Sequence, residues 1–169
     1  EGEVEFLLNL IESSLKELSE DPQVIQNRVR LKVIGERDLI PPDMMETILA
    51  VEEKTKDFEK YQFNMAIAYG GRQEIVGAVK EIAERVKAGE LDIESIDEDL
   101  ISKYMYTSDI SDPELILRTS GELRLSNFLL WQLAYSELYF TDVYWPSFRY
   151  IDFLRAIRSY QQRSRRFGK

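Results

Sequence analysis

Two arginines, a glycine and a serine fall within nine residues, at Arg118, Gly121, Arg124 and Ser126. Guanidinium groups are planar, permanently charged forks whose N–H groups match phosphate oxygens. A glycine lets the backbone turn tightly. A serine at a helix start can cap it, and the free N–H groups and dipole of such a start attract anions. The compact apolar stretch Leu115-Ile116-Leu117 reads as a strand leading into the loop, and a helix is expected from Ser126 through Trp131. The loop therefore stands beyond the carboxyl end of a strand, where α/β sheets bind ligands. The chemistry it fits is reception of a diphosphate. An exposed loop with two solvated arginines and an ordinary helix cap fits the local pattern too. Gly70-Gly71-Arg72 is a second strand end of this kind, where Arg72 is either a ligand contact or a structural ion-pair residue.

Other chemistries are excluded by what is missing. The chain has no cysteine and no histidine, which removes disulfides and thiolate catalysis. Any metal must sit on oxygen ligands, favouring a hard ion such as magnesium. The net charge of −9 is uneven: residues 147–169 carry +6, leaving −15 on the remainder. An acidic body is a poor nonspecific binder of nucleic acid, so no nucleic-acid partner is expected. A basic tail on such a body suits a small phosphorylated ligand or an acidic partner. No apolar run is long enough to span a bilayer. Cytosol is the expected compartment.

Periodicity supplies the elements that must hold the loop. Val4, Leu7, Leu8, Ile11, Leu15 and Leu18 recur at helical spacing, ending at Asp21-Pro22. Val29, Leu31 and Val33 alternate with basic residues as a strand, broken by Gly35. Pro41-Pro42-Asp43 opens a helix with Met45, Ile48 and Leu49 on its buried side. Phe63 to Tyr69 reads as a buried parallel strand, followed by a helix from Gln73 to Lys87 and a shorter one from Ile93 to Tyr104. Leu138-Tyr139-Phe140 forms a last strand, and a final helix runs from Ser147. Strands alternating with helices predict an α/β fold with a largely parallel central sheet flanked by helices, in one domain over residues 1–169.

The run Leu115 to Gln132, continuing through Ala134-Tyr135-Ser136-Glu137-Leu138-Tyr139-Phe140 to Trp145-Pro146, resembles the carboxy-terminal signature of the cis-prenyltransferases. These include the undecaprenyl and dehydrodolichyl diphosphate synthases. Tyr69-Gly70-Gly71-Arg72-Gln73-Glu74-Ile75 resembles a second block of that family, and the resemblance covers essentially the whole chain. It implies that Arg118, Arg124 and Ser126 bind the diphosphate of isopentenyl diphosphate, with Glu122 and Arg72 in support. It implies magnesium as cofactor, with Glu137 as the associated carboxylate. Arg166-Phe167-Gly168 resembles an Arg-x-Gly motif that reaches across a homodimer to the partner's isopentenyl site, adding Arg166 and Gly168 to the substrate-binding set. Phe6, Leu7 and Leu10 would line a tunnel for the growing isoprenoid. The product lipid would pass to a membrane, with peripheral association there.

The family pattern also has an earlier portion, an aspartate loop with an Asn-Arg-Arg stretch that holds the allylic diphosphate. The chain carries no such block, so the resemblance implies the carboxy-terminal portion of one catalytic domain, truncated at the amino terminus. The isopentenyl half-site is then present, catalytic residues are expected in the missing portion, and the 169 residues alone are expected to be inactive. A noncatalytic accessory subunit of a heteromeric cis-prenyltransferase is the alternative.

Overall fold

The computed structural model describes residues 2–163, and the contact pattern divides the chain into a unit ending at Tyr69 and one beginning at Gly70. In the first unit the order is α1 (Gly2–Glu20), α2 (Pro22–Gln26), β1 (Val29–Ile34), α3 (Pro42–Thr55) and β2 (Tyr61–Ala66). The second contains α4 (Gly71–Lys87), α5 (Glu98–Lys103), β3 (Leu115–Arg118), β4 (Glu137–Phe140) and α6 (Tyr150–Gln162). Both strand pairings among the described residues are parallel, β1 with β2 and β3 with β4. The expected α/β class and parallel pairing are present. The described strands form two hydrogen-bonded pairs, one in each unit.

The first unit is built around one apolar cluster. Leu15 of α1, Val24 of α2, Leu31 and Val33 of β1, Met44, Ile48 and Val51 of α3, and Ile67 after β2 are its buried members, with Ile40. Each such side chain contributes roughly 1.5–3 kcal/mol on burial. The helical stripe of α1 is only partly used: Leu8, Ile11 and Leu18 pack on the cluster, whereas Val4 and Leu7 stay open to solvent. Helix α3 meets α1 along its later turns, with Thr47 Oγ1 donating to Glu12 Oε1 at 2.8 Å and Lys54 paired with Glu20.

Four details depart from the sequence-based expectation here. Asp21-Pro22 ends one helix and starts another, since Asp21 accepts from the Gln23 N–H at 2.6 Å and caps α2. On α3 the buried stripe is Met44, Thr47, Ile48, Val51 and Thr55, so Leu49 faces out and Met45 is half-buried. The second strand begins at Tyr61 and ends at Ala66, two to three residues earlier than expected. It is also half-open, with Phe63 45% exposed, and β1 is its sole strand partner among the described residues.

The edge of β1 away from β2 is closed by side chains of α3. Thr55 Oγ1 accepts the Leu31 N–H at 3.0 Å and donates to the Val51 carbonyl at 3.0 Å. Glu52 Oε1 accepts the Val33 N–H at 2.9 Å and is paired with Arg37 at 2.8 Å. Beyond β1, Gly35 adopts φ +137°, and a Cβ there would lie 2.0 Å from the Ile67 carbonyl oxygen, so glycine is required.

In the second unit, the expected helix from Ile93 to Tyr104 is divided into a 3-10 turn (Ile93–Ser95) and α5. Each piece has its own acidic cap, Asp92 accepting from Glu94 N and Asp97 from Leu100 N. The last helix starts at Tyr150 rather than Ser147, because Trp145–Ser147 forms a separate 3-10 turn. Asp152 then accepts the Arg149 N–H at 3.1 Å and begins α6.

Candidate diphosphate-binding site

Parallel pairing of β3 with β4 aligns Arg118 with Phe140 at the carboxyl end and Leu115 with Glu137 at the amino end. Arg118 therefore leaves the strand into the loop the sequence singled out. Its Nη1 donates to Ser126 Oγ at 3.1 Å and to the Arg124 carbonyl, folding the loop back on the strand end. Arg124 is two-thirds exposed and pairs with Glu122 at 2.8 Å. Arg118, Glu122, Arg124 and Ser126 are thus gathered by direct bonds. Ser120 and Gly121 take positive φ, both +68°, and a Cβ on Gly121 would approach Asp142 Oδ1 at 3.0 Å.

The helix expected from Ser126 through Trp131 is absent, which corrects one premise of the anion argument. Ser126, Asn127 and Leu129 have φ of +49°, +64° and +45°, left-handed values that interrupt a right-handed helix. A succession of turns replaces it, with Phe128 N–H donating to Leu125 O and Leu133 N–H to Leu129 O. No dipole builds up at Ser126. Nor are the neighbouring amides free: Ser120 N–H donates to Val143 O at 3.0 Å and Gly121 N–H to Thr141 O at 2.9 Å. Positive charge for an anion comes from side chains.

Arg72 joins this loop through its backbone. Its N–H donates to Asn127 Oδ1 at 2.8 Å, and the Gly71 N–H donates to the Asn127 carbonyl at 2.7 Å. Residues 70–72 stand against the loop that follows β3, with the Arg72 side chain exposed. One turn further along α4, fully buried Glu74 accepts from the Tyr106 N–H at 2.7 Å and from Gln132 Nε2 at 3.1 Å. Asn127, Glu74 and Gln132 escaped sequence reasoning as site-building residues. One signal was available: a helix opening on Gly-Gly has no capping side chain of its own and must find one elsewhere.

Glu137 is not brought to the loop. Its place at the start of β4 puts it three strand residues, about 10 Å, from the level of Arg118. There it is paired with Arg163 at 2.6 Å. Among the described residues no group of three acidic side chains is arranged to hold a metal ion. Arg166 and Gly168 lie outside the described residues. No helix among the described residues is long and apolar enough to cross a membrane.

Comparison with known proteins agrees with this fold. Residues 1–168 match the family model described as "Putative undecaprenyl diphosphate synthase", and the chain belongs to that family, the cis-prenyltransferases. It is 55% identical over 167 residues to the tritrans,polycis-undecaprenyl-diphosphate synthase (geranylgeranyl-diphosphate specific) of Thermoplasma acidophilum, covering 99% of this chain and 65% of that protein. The protein of the same name from Methanocaldococcus jannaschii is 52% identical, with 99% of this chain and 60% of its own length covered. The chain thus spans less than two-thirds of the length of these relatives. Among solved structures, lavandulyl diphosphate synthase from Lavandula x intermedia, in complex with dimethylallyl diphosphate, superposes with a TM-score of 0.96 at 35% identity. All of this chain and 72% of that one are covered. A probable undecaprenyl diphosphate synthase from Campylobacter jejuni gives 0.85 at 36% identity, covering all of this chain and 76% of its own.

Proposed function

We propose that these residues carry the isopentenyl-diphosphate side of a cis-prenyltransferase, which condenses isopentenyl diphosphate onto an allylic polyprenyl diphosphate. The observation that carries this is the gathering of Arg118, Arg124 and Ser126 in one loop at the carboxyl end of β3. In this role Arg124 exchanges its exposed pairing with Glu122 for the diphosphate. Arg118 holds Ser126 so that hydroxyl and guanidinium face the same anion. The diphosphate leaves the allylic carbon, the isopentenyl double bond attacks that carbon, and a proton is lost to leave a cis double bond. Held guanidinium charge orients the isopentenyl partner for that attack. The names of the archaeal relatives favour geranylgeranyl diphosphate as the allylic partner.

Magnesium belongs to this reading through the family, where it neutralises diphosphate oxygens. Glu137, the carboxylate the resemblance assigns to the ion, is paired with Arg163 here, and no step is routed through the ion. A homodimer completed by Arg166 and Gly168, and delivery of a lipid product to a membrane, likewise rest on the family resemblance. The comparisons lend no support to inactivity of the 169 residues alone. Incubation with both diphosphates and magnesium, with analysis for polyprenyl product, decides that last point.

Calorimetric titration of isopentenyl diphosphate tests the half-site itself. The chain binds it, and Arg118→Ala and Arg124→Ala each weaken binding about 10- to 100-fold, the range for losing a charge-assisted hydrogen bond. Equal binding by the wild type and both variants overturns the assignment.

A further inference from the structure

Helix α4 is preceded at its N-cap by Gly70, which has no side chain with which to cap it. Its first N–H groups are orphan donors that need acceptors from elsewhere. Asn127, 55 residues further along the chain, supplies both, with its carbonyl on Gly71 and its Oδ1 on Arg72. The Asn127 amide is fixed from its other end as well, since Nδ2 donates to Gln73 Oε1 at 3.0 Å. Its φ of +64° is one that asparagine tolerates better than most residues. The fit leaves no slack: a Cβ on Gly71 would meet Leu130 Cγ at 2.9 Å and the Asn127 carbonyl at 3.2 Å. Asn127 directly follows Ser126, the residue held by Arg118. The bonded path Arg118–Ser126–Asn127–Arg72 thus joins two stretches that are distant in sequence.

We propose that Asn127 is a positioning residue for the diphosphate site, acting as a remote cap on α4 that sets Arg72 as a third guanidinium beside Arg118 and Arg124. Asn127 touches no substrate in this scheme. Its whole effect passes through where Arg72 begins, while the buried Glu74–Gln132 bond independently holds the next turn of α4. This rests on the isopentenyl-diphosphate reading above.

The test is a double-mutant cycle read by calorimetric titration of isopentenyl diphosphate into the full chain, with Arg118→Ala as reference. Asn127→Gly keeps the left-handed backbone and the carbonyl to Gly71 and removes the side chain, with its bonds to the Arg72 N–H and Gln73. Asn127→Gly and Arg72→Ala each weaken binding about tenfold, as expected for one charge-assisted contact. Together they also weaken it about tenfold, because a cap acting through Arg72 has nothing left to position. A merely structural cap would multiply with Arg72→Ala to about a hundredfold, and that result overturns the proposal. Wild-type affinity in Asn127→Gly overturns it too. Should Asn127→Gly fail to fold, Gly71→Ala replaces it in the same cycle, since the added methyl pushes against Leu130 and Asn127 from the other side. Loss of binding in Arg118→Ala without loss in Asn127→Gly rejects the positioning role and leaves the site standing. No binding by the wild type rejects both.

Discussion

Single side chains here do work that their residue types only half announce. Thr55 lies on the buried face of α3, where a residue of its size suggests packing, yet its hydroxyl is the acceptor for the Leu31 amide of β1. Replacing it by valine keeps the volume and strands a buried donor, which costs about 1–3 kcal/mol. Urea denaturation of Thr55→Val should show a correspondingly lower midpoint, and an unchanged midpoint would show that the bond carries no net stability. The loop after β3 displays the same division. The gathering of Arg118, Arg124 and Ser126 in one loop was legible because charge, hydroxyl and a glycine turn recur within a short span, and long-range bonding was not. Nothing in the local pattern joins Asn127 to Arg72, because a bond across 55 residues leaves no periodicity in the chain. The left-handed backbone at Ser126, Asn127 and Leu129 was hidden for a related reason, since the apolar spacing of Leu125 to Leu133 reads equally well as a helix.

Elements with strong internal signals were predicted closely: α4 and the strands β1, β3 and β4 fall within two residues of expectation. Errors gathered at ends and at breaks, where a capping side chain rather than periodicity decides. Asp21, Asp92 and Asp97 each accept a main-chain N–H and start a helical segment that apolar spacing alone would have merged or omitted. The start of α6 is governed in the same way by Asp152. Its carboxyl is held below the usual carboxylate range, first by the Arg149 N–H and then by the charges of Arg149 and Arg155. A carboxylate with a depressed folded pKa stabilises the fold fully above its unfolded value of about 3.9 and loses that contribution as pH falls through the folded value. Asp152→Asn should therefore melt below the wild type at pH 6, with the gap closing as pH drops under about 4. A gap that stays constant to pH 2 contradicts this account.

For the whole chain, composition sets a broad pH response. With no histidine and no cysteine, no side chain whose ordinary pKa lies near neutrality is present. The melting temperature should hold within a few degrees between about pH 6 and pH 8.5, and a steep change across that window would reveal a strongly perturbed group. Acid is different, because protonating the carboxylates turns a net charge of −9 into the uncompensated charge of 22 lysines and arginines, whose self-repulsion favours unfolding. The fold class was legible at this scale and the pairing of β1 with β2 and of β3 with β4 was not, since alternation of strands and helices says which elements exist but not which edges meet. One of those edges bears on how copies of the chain behave at high concentration. An exposed strand edge offers a row of amides on which another chain can grow a sheet, the first step toward fibrils. On the outer side of β1, Leu31 and Val33 already have their amides bound to Thr55 and Glu52 of α3. A strand arriving there must first peel away a helix, so α3 protects the most apolar strand of the first unit from templated aggregation.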